Sequence, residues 1–211
     1  PQSPIGLSTD DRILLLGSCF TDSIGAKMKA AGLDVCVNPF GTLYNPVSIL
    51  TALMRLHGGH EFTEEDCVEM GAGAGLVCSF HHHTSFARKT MGEFLQNANA
   101  KLLEAADFYK TCNKVIVTFG TSLYYQREDG LVVSNCLKRP SCEFSKEMIE
   151  LEPMCEIYED FIVKSGKQFI LTVSPIRHLA DGATTNALSK ARLLMLADTL
   201  RQWQPELVDY F

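Results

Sequence analysis

Hydrophobic positions follow two patterns along this chain, short continuous apolar runs and longer amphipathic stretches. The apolar runs predict buried strands, at 12–17, 34–38, 114–119 and 168–173. The amphipathic stretches have the 3.6-residue period of helices, at about 21–31, 46–57, 91–109, 145–164 and 186–203. Because strands and helices alternate and the strands are apolar throughout, we predict a three-layer α/β/α fold around a mostly parallel sheet.

Short motifs mark where several of these elements begin and end. Asn45-Pro46 predicts a helix start, since asparagine caps helices and proline suits the first helical position. A capping box occupies 90–93, ahead of the third helix. Asp129-Gly130 predicts a hairpin turn between two short strands. We expect Pro153 to interrupt the fourth helix. From its length, we expect the chain of residues 1–211 to form one domain.

Polar or glycine-containing motifs follow four of the predicted strands. They are Gly17-Ser18, Asn38 to Gly41, Gly120-Thr121-Ser122 and Ser174 to His178. Parallel sheets bind ligands beyond the carboxyl ends of their strands, so we expect a site there. Ser18 stands between a strand and a helix, where it can attack an acyl carbon while helix amides stabilise the oxyanion. The alternative is that Ser18 only caps the helix, which is the commoner role of such a serine.

Composition narrows the class of protein. The 211 residues carry a formal net charge of −6 without a basic stripe, which argues against nucleic acid as a partner. No apolar run approaches the roughly 18 residues of a membrane span. The eight cysteines form no C-x-x-C pair, so buried free thiols in a reducing cytoplasm are expected rather than a zinc ribbon or a disulfide framework. The chain shows no signal-peptide pattern and begins with Pro1, which is consistent with a trimmed N-terminus.

Histidines supply the candidates for a general base. His178 follows a strand end directly and is the first candidate, with substrate binding or a structural role as the alternatives. His82 and His83 come next. Three adjacent histidines at 81–83 rarely ligate one metal ion, because neighbours in extended chain point to opposite sides, so we expect polar substrate contacts and no metal. Arg177 is a candidate for binding a substrate carboxylate or phosphate, or for a surface salt bridge.

Ordered motifs along nearly the whole chain resemble the GSCFA-domain proteins, a family placed among the SGNH-type (GDSL-like) hydrolases. The matching blocks include Gly17-Ser18-Cys19-Phe20, 38–46, 79–84, 118–122, 135–138 and 172–178. The resemblance implies a doubly wound, flavodoxin-like α/β fold and an esterase or other acyl-processing activity.

The same resemblance assigns roles to particular residues. Ser18 is the expected nucleophile, with its own backbone N–H as one oxyanion donor and the N–H of Gly41 as a second. SGNH enzymes take a third donor from an asparagine after a strand glycine, but Gly120 is followed by Thr121 here. Asn135 is one substitute for that amide, and a hydroxyl of the Thr121-Ser122 pair is the other.

The sequence differs from the family pattern at two further places that matter for catalysis. Leu137 stands where the family pattern expects histidine, and the usual Asp-x-x-His of SGNH enzymes is absent from the chain. Either a C-terminal part of the domain is missing from this sequence, or an internal histidine serves as base.

We therefore expect a serine ester hydrolase acting on a small-molecule or carbohydrate acyl ester through Ser18, without a cofactor. The contrasting hypothesis is a degenerate module that binds an acyl or carbohydrate ligand without turnover. A metal hydrolase is the third class, and it requires an ion near 81–83.

Overall fold

The computed structural model describes residues 5–177 and 179–211, and it is an α/β protein built on a five-stranded parallel sheet. Its strands are β1 (Arg12–Gly17), β2 (Asp34–Val37), β5 (Lys114–Phe119), β9 (Gln168–Val173) and β10 (Val208–Tyr210). They lie in the order β10-β9-β5-β1-β2, so β1 and β5 occupy the middle of the sheet. Two small antiparallel sheets complete the strands, formed by β3 (Val68–Glu69), β4 (Val77–Cys78), β6 (Leu123–Arg127), β7 (Val132–Val133) and β8 (Phe144–Met148).

Helices flank the parallel sheet on both faces. They are α1 (Cys19–Ala30), α2 (Pro46–Gly58), α3 (Met91–Thr111), α4 (Leu151–Ser165) and α5 (Ala183–Trp203). The larger core contains side chains from α2 to α5 and alternate strand positions such as Leu14, Leu16 and Val117. The smaller core lies on the other face, where Ile24 and Met28 of α1 pack against the complementary strand positions. This arrangement confirms the expected three-layer α/β/α fold.

The cap and turn motifs found in the sequence lie at the ends of helices and strands in the structure. Asn45 caps α2, with its side chain accepting from the Ser48 N–H at 2.8 Å. The capping box ahead of α3 forms between Thr90 and Glu93. A hairpin joins β6 to β7 across Asp129-Gly130.

The prediction of a helix at 145–164 is wrong for its first six residues, 145–150. Residues 144–148 form β8, which pairs with β6 along its full length. The helix begins only at Leu151, so Pro153 lies in the first turn, where a missing N–H breaks no helical hydrogen bond. β10 was not expected at all, and it extends the parallel sheet beside β9.

No helix in the described part of the chain combines the length and apolar character that a membrane span requires.

Candidate active site

The four strand ends singled out in the sequence meet at one edge of the sheet. β9, β5, β1 and β2 are consecutive neighbours and all run parallel, so their carboxyl ends lie side by side. Gly17 is opposite Thr118 in the register, and Thr118 is opposite Thr172. Residues after these positions therefore line a common edge, where parallel sheets bind their ligands.

Ser18 occupies the N-cap position of α1 but does not cap the helix with its side chain. Its backbone is extended, with φ −69° and ψ 178°, and the Thr21 N–H donates at 2.8 Å to the Ser18 backbone oxygen. The hydroxyl makes no capping hydrogen bond. Ser18 is only 2% exposed, and its Oγ has no hydrogen-bond partner in the described residues. The simple capping explanation of this serine therefore lacks its defining hydrogen bond.

Gly17 allows this turn because no other residue fits there. Its φ is +149°, and a Cβ atom would lie 2.7 Å from Thr21 Oγ1 and collide with the Thr118 backbone oxygen. A substituted residue would push Ser18 away from β5, so the sharp strand-to-helix turn depends on this glycine.

The backbone donors expected for an oxyanion are already hydrogen-bonded. The Ser18 N–H donates to the Thr118 oxygen at 3.4 Å, which is a long bond. The Gly41 N–H donates to the Asn38 oxygen at 2.8 Å. The N–H of Gly120, at the end of the neighbouring strand β5, is also hydrogen-bonded and donates to the Tyr44 oxygen at 2.8 Å. An oxyanion therefore has to displace these bonds, of which the one from Ser18 is the weakest.

Asn38 is a site residue to which sequence reasoning gave no role. It adopts φ +43°, a left-handed conformation that asparagine tolerates better than most residues. Its Oδ1 accepts from the Gly17 N–H at 2.9 Å and its Nδ2 donates to Asp22 Oδ1 at 2.6 Å. One amide thus connects the ends of β1 and β2 with the first turn of α1. The signal was an asparagine directly after a strand, which is typical of tight turns.

The Thr121 hydroxyl is hydrogen-bonded to a serine of α5. Its Oγ1 lies 3.1 Å from Ser189 Oγ, which also accepts from the Ser122 N–H at 2.8 Å. Ser122 Oγ is buried and has no hydrogen-bond partner in the described residues. The hydroxyls of Thr121 and Ser122 were both candidates to replace the asparagine amide that SGNH enzymes use. Of these two, only the Ser122 hydroxyl has no hydrogen bond in the described residues.

Lys190 is a second residue that the sequence did not single out for a role. Its Nζ donates to the backbone oxygens of Gly120, at 2.5 Å, and Ser174, at 2.7 Å. Burial lowers the pKa of this amine. The side chain thus joins the ends of β5 and β9, and its own charge is partly desolvated.

His82 lies in a cage of aromatic rings. It is 0% exposed, and its ring contacts those of Phe40, Phe62, Phe86 and Phe94, with centroid distances between 4.5 and 5.5 Å. Burial, reinforced by the charges of nearby cationic groups, lowers its pKa to about 3.

The hydrogen bonding of His82 agrees with an uncharged ring. Its Nδ1 pairs with Ser79 Oγ at 2.7 Å, and its Nε2 is buried without a partner in the described part of the chain. The ring is therefore neutral at physiological pH, and no hydrogen bond joins it to Ser18 in the described residues.

His83 packs directly on Gly41, at the loop that follows β2. A Cβ atom on Gly41, whose φ is +81°, would collide with the Cβ atom of His83. The His83 N–H donates to the Phe40 oxygen at 3.0 Å, and its Nδ1 lies 3.0 Å from Ser85 Oγ. The structure thus places His83 beside one predicted oxyanion donor.

The remaining predicted site residues lie in different settings. Asn135 accepts from the Leu137 N–H at 2.8 Å and so supports a turn in which Leu137 has φ +52°. Arg177 is exposed. His178 lies outside the described residues, and its predicted role as base stays a prediction.

Comparison with known families identifies the chain. The sequence profile of the GSCFA family matches residues 12–211. The chain belongs to the GSCFA family. No curated protein and no solved structure matches it significantly.

In this GSCFA chain the cysteines and carboxylates do not form a metal-binding cluster in the described part. No group of three or more His, Cys, Asp or Glu side chains is arranged there to hold an ion. All eight cysteines lie in that part and are free thiols; Cys78, Cys112 and Cys155 are buried. Cys19, next to Ser18, is exposed.

Proposed function

We propose that this GSCFA protein is a serine hydrolase or acyltransferase that cleaves ester-linked acyl groups through Ser18. The observation that carries the proposal is the Ser18 hydroxyl, which is buried and unpartnered in the described residues at the carboxyl end of a central parallel strand. Burying a hydroxyl without a hydrogen bond costs free energy, commonly about 1–3 kcal/mol in proteins. Most buried polar groups in proteins are hydrogen-bonded, so an unpartnered one requires an explanation, and a catalytic role is one such explanation.

The chemistry follows from the position of Ser18. Its Oγ attacks the ester carbonyl carbon and gives its proton to a base, for which His178 is the candidate. The carbonyl oxygen becomes an oxyanion at the N-terminus of α1, where the helix dipole favours negative charge. Collapse of the tetrahedral intermediate expels the alcohol, which takes the proton, and water or an acceptor alcohol then removes the acyl group from Ser18.

A second candidate is a binding module that holds an acyl or carbohydrate ligand without turnover. The hydrogen bonds of the Ser18, Gly41 and Gly120 N–H groups to backbone oxygens favour it, because an oxyanion hole requires donors aimed at the reacting atom.

Labelling with a fluorophosphonate probe and assays with aryl acetate esters separate the two. We expect the wild-type protein to be labelled and to turn over the ester, and Ser18→Ala to lose both activities. Ser23→Ala is the matched control, since Ser23 is an exposed serine on the same helix. Equal labelling of wild type and Ser18→Ala excludes Ser18 as nucleophile, and absence of both labelling and turnover in the wild type favours the binding module.

A further inference from the structure

A groove of about 590 Å³ runs along β2, the strand at one edge of the parallel sheet. β2 forms its floor, α1 borders it on the face of the smaller core, and α3 borders it on the face of the larger core. Its lining residues lie at 22–39 and 101–108, in the interior of the chain. Within the described residues, the groove is therefore the open edge of the sheet.

The backbone of β2 has two residues whose polar groups point into this groove. The Asn38 N–H donates to the Leu15 oxygen of β1 at 2.9 Å. Alternate residues of a parallel strand bond to the same neighbour, so Cys36 also faces β1. The N–H and C=O groups of Val35 and Val37 then face the open edge, which presents two donors and two acceptors.

The open edge is limited to these two residues. The preceding outward position is Leu33, whose N–H donates to the Met28 oxygen at 3.1 Å, and the following one is Pro39, which has no N–H. Edge strands are commonly protected from pairing by lysine, proline or a bulge within the strand. β2 contains neither lysine nor proline, its register with β1 is uninterrupted, and its one charged residue, Asp34, is the first.

Two copies of this edge are complementary when they pair antiparallel about a twofold axis through Cys36. Val35 then lies opposite the partner's Val37, and Val37 lies opposite the partner's Val35. Residues of an antiparallel pair whose polar groups face each other exchange two hydrogen bonds, so the two pairs form four. Every donor and acceptor on the open edge is then used.

The charges that line the groove follow the same symmetry. Asp22 and Lys29 lie two turns apart on α1, and Lys101 and Glu104 lie one turn apart on α3. A twofold axis perpendicular to the sheet places each helix beside its own copy, running in the opposite direction. Asp22 therefore approaches the partner's Lys29, and Lys101 approaches the partner's Glu104.

The helices can also come close enough to pack. Because α1 lies on both β1 and β2, its two copies are separated by about two strand spacings, roughly 10 Å, which is the distance of packed helices. Small residues lie between the charges of the two stripes, and they are Gly25, Ala26 and Ala105. The groove is thus filled from both sides without large side chains that stand in the way.

We propose that the chain forms a twofold-symmetric dimer through β2, in which two five-stranded sheets join into one continuous sheet. The occupant of the groove is a second copy of this chain, and the inference does not depend on the proposed function. A second copy is favoured over a strand of another sequence because both helix stripes carry an acid and a base that the axis brings opposite one another.

Analytical ultracentrifugation of the purified chain measures its mass and the Kd of the dimer. We expect twice the 23.4 kDa of one chain, with dissociation on dilution. Hydrogen exchange of the peptides that cover 34–38 should show the Val35 and Val37 amides protected in the dimer and exchanging rapidly after dilution.

Substitutions in the groove test the pairing and the charges separately. Val35→Pro removes one outward N–H, which an edge strand tolerates, and should give a single-chain mass. Lys101→Glu should raise the Kd at least tenfold, because it faces the partner's Glu104 on both sides of the axis. Adding Glu104→Lys restores opposite charges and should return the Kd to within about threefold of wild type. Lys110→Glu is the matched control, since Lys110 is an exposed lysine of α3 that pairs with Asp107 outside the groove.

If Val35→Pro fails to fold, the α3 variants still decide, because the Lys101 and Glu104 side chains are 53% and 72% exposed. A single-chain mass at every concentration up to about 1 mM overturns the dimer, and protected Val35 and Val37 amides in that species assign the edge to another occupant. A dimer in which these amides exchange freely, or whose Kd responds equally to Lys101→Glu and Lys110→Glu, uses another surface and also overturns the proposal.

Discussion

His82 should make the fold sensitive to mild acid. The imidazole is enclosed by four phenylalanine rings, and burial lowers its pKa from about 6.5 to about 3. Burial is the largest cause of this shift, and the charges of His81 and Arg55 contribute to it, so protonation inside the cage is opposed by charge as well as by desolvation. The native state therefore binds fewer protons than the unfolded chain between these two pKa values.

The sign of the effect follows from that difference. Above pH 6.5 the ring is neutral in both states and contributes no pH dependence. As the pH falls below 6.5 the unfolded chain takes up the proton first, so the free energy of unfolding decreases until the pH reaches about 3. The loss from this one group is about 2 kcal/mol at pH 5, from the two pKa values.

Urea unfolding followed by circular dichroism at pH 7.5 and pH 5.0 measures this loss. In His82→Phe the decrease in unfolding free energy between the two pH values should be smaller than in wild type by about 2 kcal/mol. Phenylalanine suits the aromatic cage, and Ser79 Oγ keeps its hydrogen bond from the His81 N–H at 3.2 Å. His60→Gln changes an exposed histidine and should keep the wild-type difference. Equal pH dependence in wild type and His82→Phe would refute the reasoning.

Three substitutions, with Gly32→Ala as the control for the first, test the turn at Gly17, the hydrogen bonds of Lys190 to two strand ends, and the N-terminal cap of α3. Gly17→Ala should lower the free energy of unfolding by more than about 2 kcal/mol because of its collision with β5, whereas Gly32→Ala, at a positive φ in open space, should cost about 1 kcal/mol. Chemical denaturation checks both, and equal costs would contradict the steric argument. Lys190→Met should cost about 1–3 kcal/mol, since two strand-end carbonyls lose a charged donor; a melting temperature equal to that of wild type would contradict this. Thr90→Ala should cost about 1 kcal/mol by loss of the α3 cap, measured in the same unfolding assay, and no loss would show that the cap is dispensable.

The sequence was informative wherever a residue's environment depends on its near neighbours. The β-branched run of β5 and the capping box of α3 are local patterns, and both gave correct elements. β8 is different, because its residues become a strand through pairing with β6, about twenty residues earlier in the chain. A helical pattern at 145–164 could not reveal that pairing.

In the candidate site too, features set by neighbouring residues could be predicted, and features set by distant residues could not. Gly17-Ser18 was predictable because an apolar strand ends in a glycine and a helix follows. The cage around His82 was not, because its phenylalanines are contributed by four separate segments between residues 40 and 94. Likewise, the roles of Asn38 and Lys190 depend on which strand ends become neighbours in the sheet.

The strand order also has a consequence for how the protein is made. β1 pairs on one side with β2, which leaves the ribosome soon afterwards, and on the other with β5, about one hundred residues later. Contacts that are so distant in sequence form slowly, because a long loop has to close first. During synthesis β1, an apolar strand in the middle of the sheet, therefore keeps one edge unpaired while the residues up to β5 are translated. That interval is when a nascent chain is most prone to aggregate, so its yield in cells should depend on chaperones and on the pace of translation before β5.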